Sequence, residues 1–530
     1  MSLHVDSSST GSIKCVDKGI PKLNGKTQLH KNGYSNGSLL GHGTGKMVNK
    51  NEESKPPPPM DWSKYDTFPG TFEKCSLMTL VLTHIGLYIL MFLGFINQLL
   101  FKPKVATEKN REGYAPLYNP FEQFYSRYVY RRVRHCFNRP ICSAPADVLS
   151  LMERQSDDYN WSFKFTGRVL RCINLGSYNY LGLSGEREPV AEAVRQYGLT
   201  LSSSRAELGE CKLHKELEAE TASFLGVESA IVFGMGFATN TLSLPGLLGP
   251  DVLAISDENN HASVILGLRL SRVTVRVFRH NDVRHLEKIA RQAIAENKWK
   301  KIIIVVEGVY SMEGSIVPLR ALVALKKQLG LYLYVDEAHS IGALGPHGRG
   351  VTDYWGVPPS DVDVLMGTFT KSFGAAGGYI AGPARLINCI RAAGHASAYA
   401  HSMAPPVAAQ VLAAMRLIRG PRGQRRVRAL RDNTRYFRER LREMGVVTFG
   451  HPDSPVVPMM VYTFSKMAAT VERLTDKGLA VVGVGFPATP LSKARIRFCL
   501  SAAHSREQLD ECLRAIEEVV HELGLRYSRQ

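Results

Sequence analysis

The sequence predicts an α/β fold, with a large domain on a mostly parallel sheet, a smaller C-terminal α+β domain and a membrane helix near the N-terminus. Three observations predict it: short apolar runs separated by helical patterns from residue 146 onward, further β-rich runs near the C-terminus, and a charge-free apolar stretch at 76–101. Near-continuous apolar strands that alternate with helices are typical of a parallel sheet covered on both faces. The chain of 530 residues is long enough for two domains and additional extensions.

The charge and cysteine content limit the possible partners and compartment. The formal net charge is +18, which favours an anionic partner such as lipid headgroups, a phosphate-rich small molecule or nucleic acid. Zinc-finger spacing, heptads and RNA-binding signatures are missing from the sequence, so we expect no nucleic-acid partner. The nine cysteines are scattered without a CxxC pair, which indicates reduced thiols in a cytosol-facing compartment.

The first element in chain order is a tail at residues 1–74. It is rich in Ser, Gly, Asn and Lys, it has few apolar residues, and it contains four prolines at 56–59. Such a composition cannot bury enough apolar surface to fold, so we predict disorder.

Residues 75–101 are predicted to form a transmembrane or interfacial helix. The stretch SLMTLVLTHIGLYILMFLGFINQLLF at 76–101 contains no Asp, Glu, Lys or Arg, and about 20 apolar residues suffice to span a bilayer. Polar residues such as Thr79, His84 and Asn97 make it less apolar than most spans, so a helix in the plane of the interface is an alternative. A buried core helix is a third possibility.

Residues 102–145 form a basic, aromatic juxtamembrane segment. Between 102 and 139, nine lysines and arginines stand against three glutamates, with eight tyrosines and phenylalanines among them. This pattern is typical of the cytoplasmic side of a membrane interface, although a solvated charged helix would also fit. We therefore expect the rest of the chain to face the cytosol.

Residues 146–415 are predicted to form the large domain and 416–530 the small one. The apolar strand candidates of the large domain are 230–236, 252–256, 273–278, 301–310, 331–339, 363–372 and 377–383. The small domain contains the runs VVPMMVYTF, LAVVGV and ARIRFCLSAAH. Eleven arginines lie between 416 and 442, which indicates either a surface for phosphate or membrane or a solvated helix face. A cleft between two such domains is the usual place for a ligand.

Polar residues at the ends of these strands point to pyridoxal phosphate (PLP). Lys371 follows one strand candidate and is suited to form an imine with the cofactor aldehyde. Asp336, at the end of another, is suited to hold the proton on the pyridine nitrogen. His261 could lie flat against the ring, and Ser311 and His339 could hydrogen-bond its phenolic oxygen.

The cofactor phosphate has its own candidate residues. The motif GMGFATN places Gly236 and Phe237 at a strand-to-helix turn, where backbone N–H groups favour an anion. Thr368 could add a hydroxyl. Each signal is weak alone, but their combination and order favour a PLP enzyme. The string DEAH does not indicate a helicase, because no GxxxxGK[ST] loop accompanies it.

From about 145 to 527 the chain resembles the α-oxoamine synthases of PLP fold type I. Among them it is most similar to the lysine-bearing catalytic subunits (subunit 2 or 3 type) of eukaryotic serine palmitoyltransferases. The matching motifs are NRPICSAP, SDDYNWSFKFTGR, GSYNYLGL, FGMGFATN, EGVYSMEGSIVPL, YVDEAHSIGALGPHGRGV, VDVLMGTFTKSFGA and VGFPATP followed by RIRFCLSAAH. The membrane segment and basic strip match the N-terminal arrangement of those subunits as well.

The resemblance implies that L-serine and palmitoyl-CoA condense with loss of CO2 to 3-ketodihydrosphingosine, the first step of sphingolipid synthesis. It implies Lys371 as the imine lysine, Asp336 as the partner of the pyridine nitrogen and His261 as the stacking histidine. It also implies Arg497 as the ligand of the serine carboxylate. A guanidinium fork grips a carboxylate at two points.

The resemblance further implies a location and partners. These are the endoplasmic reticulum membrane with a cytosolic catalytic domain, a lysine-less companion subunit in a heterodimer, and small regulatory membrane proteins. Two alternatives stay open, namely a synthase that condenses glycine with a short acyl-CoA and a non-catalytic scaffold subunit. The acyl length and the choice between identical and different subunits are not fixed by the sequence.

One loop departs from the family pattern. The family has Gly-x-Gly where this chain has YGLTLSSSRAELG, so Thr200 replaces the second glycine while Gly198 is kept. Glycine often marks a tight backbone approach or a positive φ. We therefore expect Thr200 to displace the loop near the substrate or the companion subunit, and the sequence does not fix whether activity falls.

Overall fold

The computed structural model describes residues 57–65, 76–101, 112–113, 120–185, 188–490 and 492–528. The helices are α1 (Leu77–Leu100), α2 (Pro120–Tyr125), α3 (Arg131–Val133), α4 (Glu188–Tyr197), α5 (Lys212–Leu225), α6 (Gly236–Leu247), α7 (Ala262–Leu270), α8 (Val283–Ala295), α9 (Leu319–Leu329), α10 (Val351–Trp355), α11 (Ala384–Ala393), α12 (His395–Tyr399), α13 (Pro405–Arg419), α14 (Pro421–Glu443), α15 (Phe464–Asp476) and α16 (Arg506–Leu523). The strands are β1 (Val148–Gln155), β2 (Lys164–Asn174), β3 (Ser229–Phe233), β4 (Val252–Asp257), β5 (Thr274–Phe278), β6 (Lys301–Glu307), β7 (Tyr332–Asp336), β8 (Val364–Thr368), β9 (Gly378–Gly382), β10 (Val456–Tyr462), β11 (Leu479–Ala480), β12 (Val482–Val484) and β13 (Ala494–Cys499).

A seven-stranded sheet forms the centre of the large domain. Its strand order is β3-β9-β8-β7-β6-β4-β5. Strand β9 runs antiparallel to both of its neighbours, and the other neighbouring pairs are parallel. Every strand candidate predicted between 230 and 383 lies in this sheet, which confirms the mostly parallel α/β fold.

Apolar residues cover both faces of the sheet because a strand directs successive side chains to opposite faces. In β6, Ile302 and Ile304 belong to one buried apolar cluster, whereas Ile303 and Val305 belong to another. All four are less than a tenth exposed. This two-sided burial explains why the strand reads as a continuous apolar run rather than an alternating one.

Two smaller sheets lie outside the central one. The order β10-β13-β12 is antiparallel throughout, and β1 and β2 form an antiparallel pair that β11 extends. The helices α14, α15 and α16 belong to the same C-terminal part of the chain. The predicted domain boundary at 415/416 falls inside α13, and the division into a large and a small domain stays a prediction.

The arginine-rich stretch is largely helix α14, and one of its arginines is internal. Arg438 is 1% exposed. Its guanidinium donates to the carbonyl oxygens of Ser454 at 3.3 Å, Val456 at 2.9 Å and Phe449. This residue therefore holds the helix against the loop before β10 rather than facing a phosphate or a membrane.

Helix α1 is long and apolar enough to cross a membrane, the one such helix in the described part of the chain. Most of its large side chains are exposed, Phe92 and Leu99 by more than 60%. Gly94 is buried, and a Cβ atom there would lie 2.9 Å from the Cβ of Tyr128. One face of α1 thus packs closely against the chain that follows it.

The juxtamembrane segment is anchored on the small sheet region. Tyr125 is 4% exposed, and its ring lies 4.8 Å from Phe486 and 6.0 Å from Phe464 in edge-on contacts. Aromatic pairs of this kind contribute more than their buried area alone. The aromatic residues of this strip therefore serve in part as packing.

The predicted tail at 1–74 lies outside the described residues except for 57–65, which contact helix α8. Glu287 of α8 accepts hydrogen bonds from the backbone of Met60 at 3.0 Å and from the indole of Trp62 at 2.8 Å. Arg291 donates to the carbonyl oxygens of Pro57 and Pro58, both at 2.6 Å. A buried carboxylate thus ties this short segment to the large domain.

Candidate active site

The candidate residues gather at the carboxyl edge of the central sheet. Asp336 ends β7, Thr368 ends β8, and Lys371 follows three residues later. Gly236 begins α6 directly after β3, and His261 is the N-cap of α7 after β4. The carboxyl ends of parallel strands meet at one edge, which is the usual position of a ligand site in α/β folds.

Asp336 is buried and held by fixed donors. It is 2% exposed, and its carboxylate accepts from the amide of Asn240 at 2.8 Å and from the backbone N–H of Ala338 at 2.9 Å. The Asn240 oxygen in turn accepts from the hydroxyl of Tyr334 at 2.6 Å. These bonds orient a carboxylate in the way a protonated pyridine nitrogen requires.

The amine of Lys371 lies near this carboxylate and is largely shielded from solvent. Burial lowers the pKa of Lys371 to about 8, while the negative charges of Asp336 and Glu307 oppose the shift. The amine lies 5.8 Å from the centroid of the Tyr178 ring. A lysine with a lowered pKa has a larger neutral fraction, and the neutral amine is the form that attacks a carbonyl.

His261 is fixed in one tautomer by its helix. Its Nδ1 accepts from the backbone N–H of Ser263 at 3.2 Å and lies 2.7 Å from the Ser263 hydroxyl. Burial lowers the pKa of His261, with Asp336 acting in the opposite direction. Because Nδ1 accepts this hydrogen bond, the neutral ring carries its proton on Nε2. The ring of Phe237 lies 5.8 Å away.

His339 is held neutral between two tyrosines. Burial, and after it the charges of Lys371 and Arg497, lower the pKa of His339 well below its usual value. Its Nδ1 lies 2.8 Å from the Tyr180 hydroxyl, and the Tyr178 ring contacts it edge-on at 4.9 Å. A neutral imidazole can accept or donate one hydrogen bond toward the cofactor ring.

A cradle for an anion lies at the start of α6. A Cβ atom on Gly236 would lie 2.6 Å from the Thr368 hydroxyl oxygen and 3.4 Å from the Thr370 methyl group. The two threonine hydroxyls lie 2.7 Å apart. The N–H groups of the first turn of α6 have no partner within the helix. Together with the space left by Gly236 and the two threonine hydroxyls, they could bind a phosphate group.

Arg497 is a buried cation with free donor capacity. It is 6% exposed, and its Nε has no hydrogen-bond partner among the described residues. Its guanidinium carbon lies 4.7 Å from the centroid of the Tyr178 ring, and one terminal nitrogen lies 3.6 Å from the sulfur of Met312. An unsatisfied buried donor of this kind is suited to an anionic ligand.

Ser311 and Thr200 are less closely tied to this cluster. Ser311 precedes Met312 and is half-buried; no described contact links it to Lys371 or Asp336. Thr200 lies in an exposed loop, where its hydroxyl accepts from the backbone N–H of Ser202 at 3.1 Å. Within this loop, Gly198 and Ser202 have a positive φ angle, whereas Thr200 does not. Threonine is therefore unstrained at this position.

Sequence reasoning missed three residues of the site: Asn240, Tyr178 and Glu307. Asn240 orients Asp336, the Tyr178 ring contacts Lys371, His339 and Arg497, and Glu307 ends β6 opposite Asp336. Each lies in a quoted motif, and a glutamate closing the apolar run KIIIVVE was a visible signal. The described residues contain no group of three His, Cys, Asp or Glu that could hold a metal ion.

Comparison with known proteins gives a consistent result. Residues 171–516 match the family of class I and II aminotransferases. Serine palmitoyltransferase 3 of Homo sapiens is 48% identical over 96% of this chain and 95% of its own length. Serine palmitoyltransferase 2 of Dictyostelium discoideum is 45% identical over 79% of this chain and 88% of its own.

Solved structures are similar as well. Serine palmitoyltransferase of Sphingomonas wittichii is 29% identical with a TM-score of 0.68, over 77% of this chain and 99% of its own. A variant of the S. paucimobilis enzyme, with PLP and myriocin bound, is 27% identical with a TM-score of 0.67, over 77% of this chain and all of its own.

Proposed function

Because the chain belongs to the serine palmitoyltransferase family, we propose that it is a PLP-dependent acyltransferase that condenses L-serine with a long-chain acyl-CoA. CoA and CO2 are released, and with palmitoyl-CoA the product is 3-ketodihydrosphingosine, the first intermediate of sphingolipid synthesis. The observation that carries the proposal is that a half-buried amine, Lys371, and a buried guanidinium, Arg497, meet at the ring of Tyr178, with the buried carboxylate of Asp336 close enough to act on that amine.

The residues present fit PLP. Lys371 would bind its aldehyde carbon, Asp336 its pyridine nitrogen and His261 one face of its ring. The cradle of Gly236 and Thr368 fits a phosphate, because a side chain at 236 would fill it. The bound cofactor supplies an electron sink for the carbanion left when the amino acid loses its α-proton.

The protein residues have separate tasks in this reaction. Arg497 holds the serine carboxylate through the donors that its protein neighbours leave free. Lys371 takes the α-proton, since a pKa near 8 allows it to accept and return a proton at neutral pH. His339 stays neutral, so it does not compete with the cations Lys371 and Arg497 for the anionic groups of the substrate. Asp336 and Arg497 are buried, Lys371 is half-buried and His261 is exposed.

A companion subunit is part of this proposal. Leu208, Met235 and Tyr399 are 86%, 62% and 81% exposed. Met235 also lines an apolar cavity of about 470 Å³ beside the start of α6, together with Ala400. Of these, Met235 directly precedes Gly236 of the phosphate cradle, and a large exposed apolar side chain at that place favours coverage by another chain. We expect that chain to be the lysine-less subunit.

The direct test uses microsomes that express this chain with and without the lysine-less subunit. Labelled serine and acyl-CoAs of several lengths are supplied, and the long-chain ketone is quantified. We expect product with palmitoyl-CoA and none from Lys371→Ala. Product from glycine and a short acyl-CoA alone, or full activity of the Lys371→Ala variant, would refute the assignment.

Helix α1 would attach this site to a membrane from the cytosolic side. The contacts of Glu287 with Met60 and Trp62 hold the chain before α1 on the large domain, and Tyr125 holds the chain after it. The segment 57–65, which contains Met60 and Trp62, is joined to the N-cap of α1 by only ten residues, 66–75. A perpendicular α1, about 36 Å long, would cross the hydrocarbon core of about 30 Å and place its two ends on opposite sides of the membrane, although the segments before and after it both contact the same body of the protein. This favours a helix that lies in the interface, in the endoplasmic reticulum membrane by resemblance.

The sequon at Asn36 offers a test of this disposition. An interfacial α1 keeps the N-terminus in the cytosol, so Asn36 should stay unglycosylated and an N-terminal tag should be cleaved by protease added outside sealed microsomes. A mobility shift reversed by endoglycosidase, or a tag cleaved only after detergent, would show a spanning helix.

A further inference from the structure

Glu307 is a buried carboxyl group for which the proposed reaction has no task. It closes strand β6, is 3% exposed and lies opposite Asp336 in the register of β6 and β7. Because neighbouring parallel strands direct opposed residues to the same face, the two carboxyl groups share one side of the sheet. Burying a carboxyl group without a function or a partner costs stability.

The contact of Glu307 with His261 indicates its task. The Glu307 carboxyl oxygen accepts a hydrogen bond from the backbone N–H of His261. His261 is the N-cap of α7, and its ring is already fixed through Ser263. Glu307 therefore holds the backbone of the same residue whose side chain is assigned to the cofactor ring.

The two neighbouring carboxyl groups are not equivalent. Asp336 accepts from Asn240 and from the backbone of Ala338, at 2.8 and 2.9 Å, whereas Glu307 accepts from His261 alone among the described bonds. Burial, and after it the charge of Asp336, raises the pKa of Glu307 well above its usual value. The ionisable groups that act on Glu307 or that it acts upon are Asp257, His261, Tyr178, Tyr310, Asp336 and Lys371.

We infer that Glu307 is a positioning residue that works as a neutral carboxylic acid, anchoring the His261 backbone while Asp336 alone carries the negative charge. Its carbonyl oxygen accepts the His261 N–H without needing ionisation. Two like charges side by side in a buried site would repel, and one of them then stays protonated. The inference rests on the proposed PLP site.

The test is PLP binding to the full-length chain and three variants, measured by equilibrium dialysis, with the visible circular dichroism of bound PLP as a second readout. Glu307→Gln keeps the acceptor oxygen and stays neutral, so we expect a dissociation constant within about twofold of wild type. Glu307→Ala leaves the His261 N–H unsatisfied, so we expect binding about tenfold weaker and a changed dichroism signal.

Glu337→Ala is the matched control. Glu337 is also a fully buried carboxyl group that accepts from a backbone N–H, that of Val351 at 3.0 Å, but its contacts lie with Ser340 and Val351. We expect its loss to lower the melting temperature without weakening PLP binding.

Three results would overturn the inference. Glu307→Gln could bind PLP as weakly as Glu307→Ala, Glu307→Ala could bind like wild type, or Glu337→Ala could weaken binding equally. A wild-type chain that fails to bind PLP both alone and together with the lysine-less subunit would overturn the proposed function as well, which separates the two failures.

Discussion

Replacing Gly236 with alanine tests the phosphate cradle. The new Cβ would lie 2.6 Å from the Thr368 hydroxyl oxygen and 3.4 Å from the carbonyl oxygen of Gly377. An ordinary contact needs about 3.4 Å or more, so Thr368 must move by nearly an ångström. Thr368 is 2% exposed and bonded to the carbonyl oxygen of Gly377 at 2.8 Å, so it cannot move freely. Overpacking of this kind costs about 1–3 kcal/mol.

The expected effect is on PLP affinity, because the methyl group and the displaced hydroxyl both occupy the cradle. A cost of 1–3 kcal/mol corresponds to binding that is weaker by about 5- to 150-fold. Equilibrium dialysis of the apo-chain against PLP measures it. Gly249→Ala, at the other end of α6, is the control, since a Cβ there would have no atom within 4 Å.

A double variant separates the collision from general damage. Thr368→Ala removes the colliding oxygen and weakens binding on its own, but the further cost of Gly236→Ala should then become smaller. If Gly236→Ala binds PLP within twofold of wild type, or costs as much with Thr368→Ala as without it, the cradle is wrongly placed.

Three further outcomes are expected. The rate at which PLP binds the apo-chain should rise with pH with a midpoint of about 8, because below its pKa Lys371 is protonated and cannot attack the aldehyde; a pH-independent rate between 6 and 9 would contradict this. Arg497→Lys should raise the KM for serine at least tenfold, because lysine cannot form two charge-assisted hydrogen bonds to one carboxylate. The control is Arg438, another buried arginine, whose replacement by lysine should lower stability but leave that KM unchanged. Tyr125→Ala should reduce the free energy of unfolding by about 3 kcal/mol through lost packing on Phe486, measured by thermal denaturation in detergent; an unchanged melting temperature would contradict the anchoring role.

The strand pattern could be predicted because burial on both faces leaves its mark in the sequence. In β6, alternate residues enter two separate apolar clusters, so the strand must be apolar throughout. Lys371, Asp336 and His261 could be proposed from their positions after such strands, and the structure brings all three to one edge of the sheet. Their roles stay proposals until the variants are measured.

The sequence could not predict contacts that depend on how distant segments pack. Tyr178 lies far along the chain from Lys371, His339 and Arg497, yet its ring contacts all three. Arg438 belongs to a run that reads as a charged surface, but its guanidinium is buried against carbonyl oxygens. The periodicity of apolar residues describes one helix or strand at a time, so it does not predict contacts between residues that are distant in the chain.

The sequence by itself therefore determined the α/β class, the order of the strands along the chain and the chemical types at their ends, since apolar periodicity and motif spacing are local properties. Only the tertiary structure decided which carboxyl group of the site is surrounded by hydrogen-bond donors. Asp336 and Glu307 both end buried strands, but the donors around Asp336 come from α6 and from the loop after β7, and only the fold brings them there. A charge is stable inside a protein where such donors converge, and their convergence is a property of the packed chain.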